Sequence, residues 1–113
     1  MCDHEAYLLD IIDSINRIEE YTKDLNFDEF ISFMMAQDAV IRNLEVIGEA
    51  VKKLPDEVKN KKSHIEWRKI AGFRDVLIHD YANIDLVIVW DVVQNKLPEL
   101  KTAVKSFLEN QSG

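Results

Sequence analysis

Apolar residues recur at helical spacing through most of the chain. Leu8, Ile11, Ile12, Ile15 and Ile18 step by three and four, which places them on one face of a helix. Asp10, Asp13, Arg17, Glu20 and Lys23 fill much of the opposite side. Asp3 is placed to cap this helix at His4 or Glu5, and the pattern predicts an end near Leu25, where Asn26 interrupts it. Phe27, Phe30, Ile31 and Phe33 form a short amphipathic turn leading into a long second helix. There Gln37, Val40, Leu44, Ile47, Val51 and Leu54 make a coiled-coil-like stripe, with Gly48 beside it where a neighbouring helix can come close. Pro55 ends that helix, because proline lacks an amide hydrogen and disfavours helix in the residue before it.

Residues 55–64 are polar and basic, a connector with room for one helical turn. A third helix is predicted over Glu66 to His79, using Trp67, Ile70, Ala71, Phe73, Leu77 and Ile78. Asp80, Ala82 and Asn83 mark a bend, and Asp85 is a cap for a fourth helix through Leu86, Val89, Trp90, Val93 and Leu97. Pro98 should kink or divide this segment before Leu100, Val104, Phe107 and Leu108 carry the helical face to the end. The β-branched run Leu86-Val87-Ile88-Val89 would also suit a buried strand, but nothing else in the chain reads as a strand to pair with it. The expectation is an all-α, up-down bundle of four to five helices, in a single domain over residues 1–113.

With 113 residues, three glycines and two prolines, the chain is long enough to bury a real core and poor in the turn residues of an all-β fold. The longest apolar run, Leu86 to Trp90, is far too short to cross a bilayer. The single cysteine, Cys2, has no partner for an internal disulfide, so a reducing cytoplasm is the expected setting. Net charge is −7, which argues against nucleic acid until its distribution is considered. From Lys52 to Arg74 eight basic residues stand against three acidic ones, a local balance of +5. That segment is able to hold a phosphate chain while the acidic remainder repels it, although such a run is also what a solvated surface looks like.

Common catalytic signatures are missing. There is no glycine-rich phosphate loop, no Cys/His set at zinc spacing and no nucleophile elbow. Glu45 and Glu49 are four apart on one helix, but without a Glu-x-x-His companion they read as a polar helix face rather than a metal site. The informative stretch is Arg74-Asp75-Val76-Leu77-Ile78-His79-Asp80-Tyr81. It gathers a guanidinium, an imidazole and a phenol at one helix end. Arg74 and His79 differ in direction by about 140° on an ideal helix, so they cannot stack, yet the reach of arginine lets both tips bracket one ligand. Asp75 lies four residues before His79, on the same side, and can hydrogen-bond the imidazole and fix its tautomer.

The run from Trp67 to Tyr81 resembles the signature of the HEPN superfamily, specifically the HepT-like toxins of HEPN/MNT toxin–antitoxin pairs. That signature is Arg, four to six residues, His, any residue, Tyr, and the gap here is four. Gln37 through Val51 is similar to the family's long second helix, and the segments from Ile84 to Trp90 and Leu97 to Leu100 are similar to its last ones. Asp75 departs from the pattern, since many members carry asparagine after the arginine.

The resemblance implies an all-α HEPN-like homodimer with two copies of the motif in one cleft. It implies metal-independent RNA cleavage without a cofactor, in which a 2′-hydroxyl attacks the adjacent phosphate and displaces the 5′ oxygen, giving a 2′,3′-cyclic phosphate and a 5′-hydroxyl. Arg74 and His79 would be the catalytic residues, with Asp75 in support. One His79 would act as base and its mate as acid, and Arg74 would clamp the phosphate. Lys61, Lys62, Arg68 and Lys69 would form the approach surface for RNA. The implied antitoxin is an MNT-type nucleotidyltransferase that transfers AMP onto Tyr81. Two other readings remain open: a catalytically inactive HEPN module binding nucleotide or a partner protein, and a plain helical dimerisation protein.

Overall fold

The computed structural model describes residues 4–112, and among them every regular element is helical. The expectations for Cys2 and Asp3 lie outside the described residues. Four long helical rods form the bundle: α1 (Glu5–Thr22), α3 (Met34–Lys53), α5 (Trp67–His79), and a final rod made of α6 (Leu86–Asp91), a π turn (Val92–Lys96) and α7 (Leu97–Ser112). The short helices α2 (Phe27–Ile31) and α4 (Asp56–Asn60) turn the corners.

Long-range contacts give the directions. Lys53 at the end of α3 lies over the Tyr7 ring at the start of α1, and Lys101 early in α7 bonds Glu19 late in α1 at 2.7 Å. Trp67 at the start of α5 stacks on Phe107 late in α7. Each packed pair is therefore antiparallel, the up-down arrangement that the short connections favour. The core is the set of stripes read from the sequence: Leu8, Ile11, Ile15 and Ile18 of α1, and Val40, Leu44, Ile47, Val51 and Leu54 of α3 and its cap, are all buried. Each such aliphatic side chain contributes about 1.5–3 kcal/mol on leaving water.

Local chemistry sets the boundaries. α1 stops at Thr22, three residues before the predicted end, because Asn26 takes an extended conformation and starts α2 with a reciprocal capping box. Its side chain accepts from the Glu29 amide at 2.8 Å, and its own amide donates to the Glu29 carboxylate at 2.9 Å. Leu54 is extended (φ −69°, ψ 137°), as a residue before proline should be. The Asp85 side chain caps α6 by accepting from the Val87 amide, and residues 86–89 are helix rather than strand. Pro98 neither breaks nor ends its helix. The π turn comes immediately before it, with the Leu97 amide donating to the Val92 carbonyl five residues back. That widened turn makes room for a ring that would otherwise strike the carbonyl four residues earlier.

Candidate functional site

Two features of α3 position α5. Gly48 is buried at the helix crossing, and a Cβ there would lie 2.5 Å from the Arg74 Cβ. The missing side chain lets the α5 backbone approach at Arg74, the use of Gly48 that the sequence predicts. One turn of α3 after another then meets the motif in antiparallel order: Glu49 reaches Arg74, and Asp38 reaches Tyr81.

Arg74 is half-buried and held from two sides. Its Nε lies 2.9 Å from Glu49 Oε2, and its NH1 lies 3.3 Å from Asp75 Oδ1. Glu49 also receives Lys53 at 3.5 Å, so the guanidinium sits in a network of alternating charge. Its remaining N–H groups have no partner among the described residues and can fork onto a phosphate. Arg74, Glu49 and Lys53, together with Arg42, Glu45 and Ile78, line an open cleft of about 250 Å³ against Tyr7 and Asp10 of α1.

At the end of α5 the Asp80 amide donates to the Val76 carbonyl, and the chain turns through a 3₁₀ segment (Tyr81–Asn83). The Tyr81 hydroxyl donates to Asp38 Oδ1 at 2.5 Å. Acceptance by that carboxylate pushes the phenol above its ordinary value, with smaller contributions from burial and from the charges of Asp38 and Glu45. His79 is exposed, and its imidazole makes no hydrogen bond or ion pair among the described residues.

Two expectations change here. Asp75 does not orient His79, because its carboxylate sits on the adjacent Arg74, a permanently charged fork and the stronger partner. Nor does the structure bring Arg74 and His79 into one cleft. Arg74 faces α3, whereas His79 lies on the outer side of α5 and lines neither of the two clefts described here.

The basic residues fall at the other end of α5. Lys61 and Arg68 are exposed without an ion pair among the described residues, Lys62 is half-buried, and Lys69 is paired with Glu66 at 2.6 Å. That pairing holds the Glu66 carboxyl below its ordinary value and lifts the Lys69 amine. Arg68 and His79 are about 16 Å apart along the helix axis but within about 20° in direction, so one side of α5 carries both. Gly72 lies between them with no atom within 4 Å of the Cβ it lacks. Beside this face runs a larger cleft of about 670 Å³, lined by Ile70, Phe73, Val76, Ile88 and Val92 and bordered by Lys69, Lys96, Glu66, Asp91 and Glu99.

Sequence reasoning missed Asp38 altogether and saw Glu49 only as half of an unpromising metal pair. The available signal was the series Asp38, Glu45, Glu49, spaced seven and four, which sets three carboxylates on one side of α3. In the structure Glu45 pairs with Arg42 and Glu49 with Arg74, and no group of three His, Cys, Asp or Glu among the described residues could hold a metal ion. No described helix is long and apolar enough to cross a membrane.

Comparison with known proteins bears on the whole chain. A Methanocaldococcus jannaschii protein described as a gamma-glutamylcyclotransferase and candidate RNase is 46% identical over 107 residues, covering 95% of this chain but only 48% of that protein. A second protein of the same organism, described as a candidate RNase, is 42% identical over 111 residues, which is 98% of this chain and 92% of that one. A Thermococcus cleftensis protein described as a candidate ribonuclease HepT is 43% identical over 98 residues, 87% of this chain and 89% of that one. No solved structure matches. The family model "Ribonuclease HepT-like" matches residues 11–107, a span that takes in the bundle and the whole Arg74–Tyr81 motif, and the chain belongs to that HEPN family.

Proposed function

We propose that this chain is a metal-independent endoribonuclease that acts as a homodimer, the toxin of a type II HEPN/MNT pair. The carrying observation is the state of the motif at the end of α5: Arg74 is braced from behind by Glu49 with donors to spare, and His79 stands exposed without a partner among the described residues. A proton-transfer group has to be free to meet its substrate, and a phosphate clamp has to be rigid before it does. In this reading two His79 imidazoles serve as base and acid, and Arg74 exchanges Asp75 for a phosphate oxygen. Lys61, Lys62, Arg68 and Lys69 guide the RNA backbone along α5 toward them.

The second copy has a suitable surface beside His79. Val76, Val87 and Ile88 are exposed by 51%, 61% and 51%, and both signs of charge border the cleft they flank. A mixed rim can meet its own image across a two-fold axis. Transfer of AMP from ATP to Tyr81 by a nucleotidyltransferase antitoxin, with release of pyrophosphate, would add negative charge at the end of α5 and repel RNA.

Cleavage of RNA in EDTA by the wild type, His79→Ala and Arg74→Ala tests this. The expected result is cutting by the wild type, with 2′,3′-cyclic phosphate ends, and a loss of at least about 100-fold in either variant. An inert wild type, or variants that cut equally well, would overturn it. The reading as a binding module that does not cut draws on one observation, the two carboxylates already on Arg74, and an inert wild type that still binds RNA would favour it.

A further inference from the structure

The two most exposed large apolar side chains among the described residues are Met35, at 77%, and Met34, at 74%. They open α3, directly after the exposed Ile31 and Phe33, and all four fall in a stretch of five residues. This tip is firmly built. The capping box holds α2, the Gln37 side chain donates to the Phe30 carbonyl at 2.9 Å, and the Ser32 and Phe33 amides close the turn. Exposed apolar side chains gathered on a preformed turn are costly to leave in water, and such groupings are characteristic of contact surfaces. Methionine pairs make such surfaces adaptable to a partner's shape.

Its surroundings narrow the choice of occupant. Between Asp24 and Ile41 there are four acidic residues (Asp24, Asp28, Glu29 and Asp38) and no basic one. RNA and an anionic lipid surface would both be repelled. A second copy placed by a two-fold axis would set these acids against their own images, in contrast to the mixed rim beside α5. A different protein is left, one with an apolar contact face bordered by lysine or arginine.

Location adds a purpose. On α3, Met34 and Met35 precede Asp38 by four and three residues and therefore lie on its side of the helix, one turn away. Asp38 carries the Tyr81 hydroxyl, and Tyr81 is itself 54% exposed. A protein seated on the methionines thus has the phenol within reach at the edge of its footprint.

We propose that the α2–α3 tip, centred on Met34 and Met35 and flanked by Ile31 and Phe33, is the docking surface for a basic-rimmed protein partner that acts on Tyr81. The identity of that partner rests on the reading above, in which a nucleotidyltransferase modifies the tyrosine.

The experiment titrates the full chain with a purified MNT-type nucleotidyltransferase, the class of antitoxin proposed above, followed by calorimetry at low and high salt. Four forms are compared: wild type, M34D/M35D, Asp28→Lys, and Leu9→Asp as a variant of an exposed apolar side chain elsewhere, on α1. Circular-dichroism melts establish that each is folded. The expected result is a loss of about 100-fold in affinity for M34D/M35D, as for the centre of an interface. Asp28→Lys should lose about tenfold together with part of the salt dependence, while Leu9→Asp still binds. Wild-type affinity in a folded M34D/M35D overturns the docking surface but leaves the toxin reading intact. Failure of the wild type to bind at all overturns the antitoxin partner and this surface with it.

Discussion

Glycine to alanine should act with opposite sign at the two helical glycines of this bundle. In both cases the helix gains about 1 kcal/mol in propensity, because alanine loses less backbone freedom on folding. At Gly48 the new Cβ would meet the Arg74 Cβ at 2.5 Å, with Arg74 Cγ and the Ile70 carbonyl at 3.4 Å. The nearest atom belongs to the stem of a helix, so relief requires α5 to move away from α3. Overpacking of that kind costs about 1–3 kcal/mol, which leaves Gly48→Ala neutral to about 2 kcal/mol less stable. At Gly72 a Cβ meets nothing within 4 Å, so the propensity gain of about 1 kcal/mol survives in the protomer. With several degrees of melting temperature per kcal/mol, melts followed at 222 nm should separate the two variants by roughly 5–15 °C. The same displacement of α5 lengthens the Glu49–Arg74 bridge, so Gly48→Ala should also lose RNA cleavage. A Gly48→Ala protein that melts at or above Gly72→Ala would refute the close-approach argument.

Three further outcomes follow from single contacts. Because folding holds the Tyr81 phenol above its ordinary value, the resulting stability is complete below pH about 10 and is lost as pH rises through the folded value; Asp38→Asn should move the alkaline ultraviolet titration of Tyr81 downward, and an unmoved curve would deny the carboxylate that role. Reversing Lys61 and Arg68 to glutamate should weaken RNA binding and flatten its dependence on salt, and an unchanged slope in filter binding would remove these residues from the RNA path. Trp67→Phe keeps the ring stacked on Phe107 but strips the indole N–H from the carbonyls of Lys59 and Lys62, both at 3.0 Å, and should cost about 1–3 kcal/mol in urea unfolding, with an unaltered midpoint counting against it.

The parts legible in the sequence were those governed by near neighbours. Stripes at three- and four-residue steps depend on helix periodicity alone, so the buried faces of α1 and α3 follow directly from the order of residues. The Leu54–Pro55 stop and the Asp85 cap are local too. The response to Pro98 was less accessible, since a π turn and a broken helix are both ways of accommodating a proline and the local sequence allows either. Asp38 was hidden for another reason. Its bond to Tyr81 spans 43 residues and exists only because α3 and α5 run antiparallel in one particular register, and Gly48 fixes that register from the far end. Asp75 was legible as a neighbour of both Arg74 and His79, and the preference of a carboxylate for a guanidinium decided between them.

Helical phase also bears on why a dimer is the natural unit for the proposed chemistry. Five residues separate Arg74 from His79, and five residues turn a helix by about 140° beyond a full revolution. Once Gly48 and Glu49 bind Arg74 to α3, the imidazole has to project from the far side of α5. In the structure Ile78 lines the cleft with Arg74, and His79 does not. A phosphate between the two groups therefore needs walls from more than one protomer, and the exposed face carrying Gly72, Val76 and His79 is where a second α5 could supply them. The spacing that makes the motif look inefficient within one chain is the spacing that suits a site assembled from two.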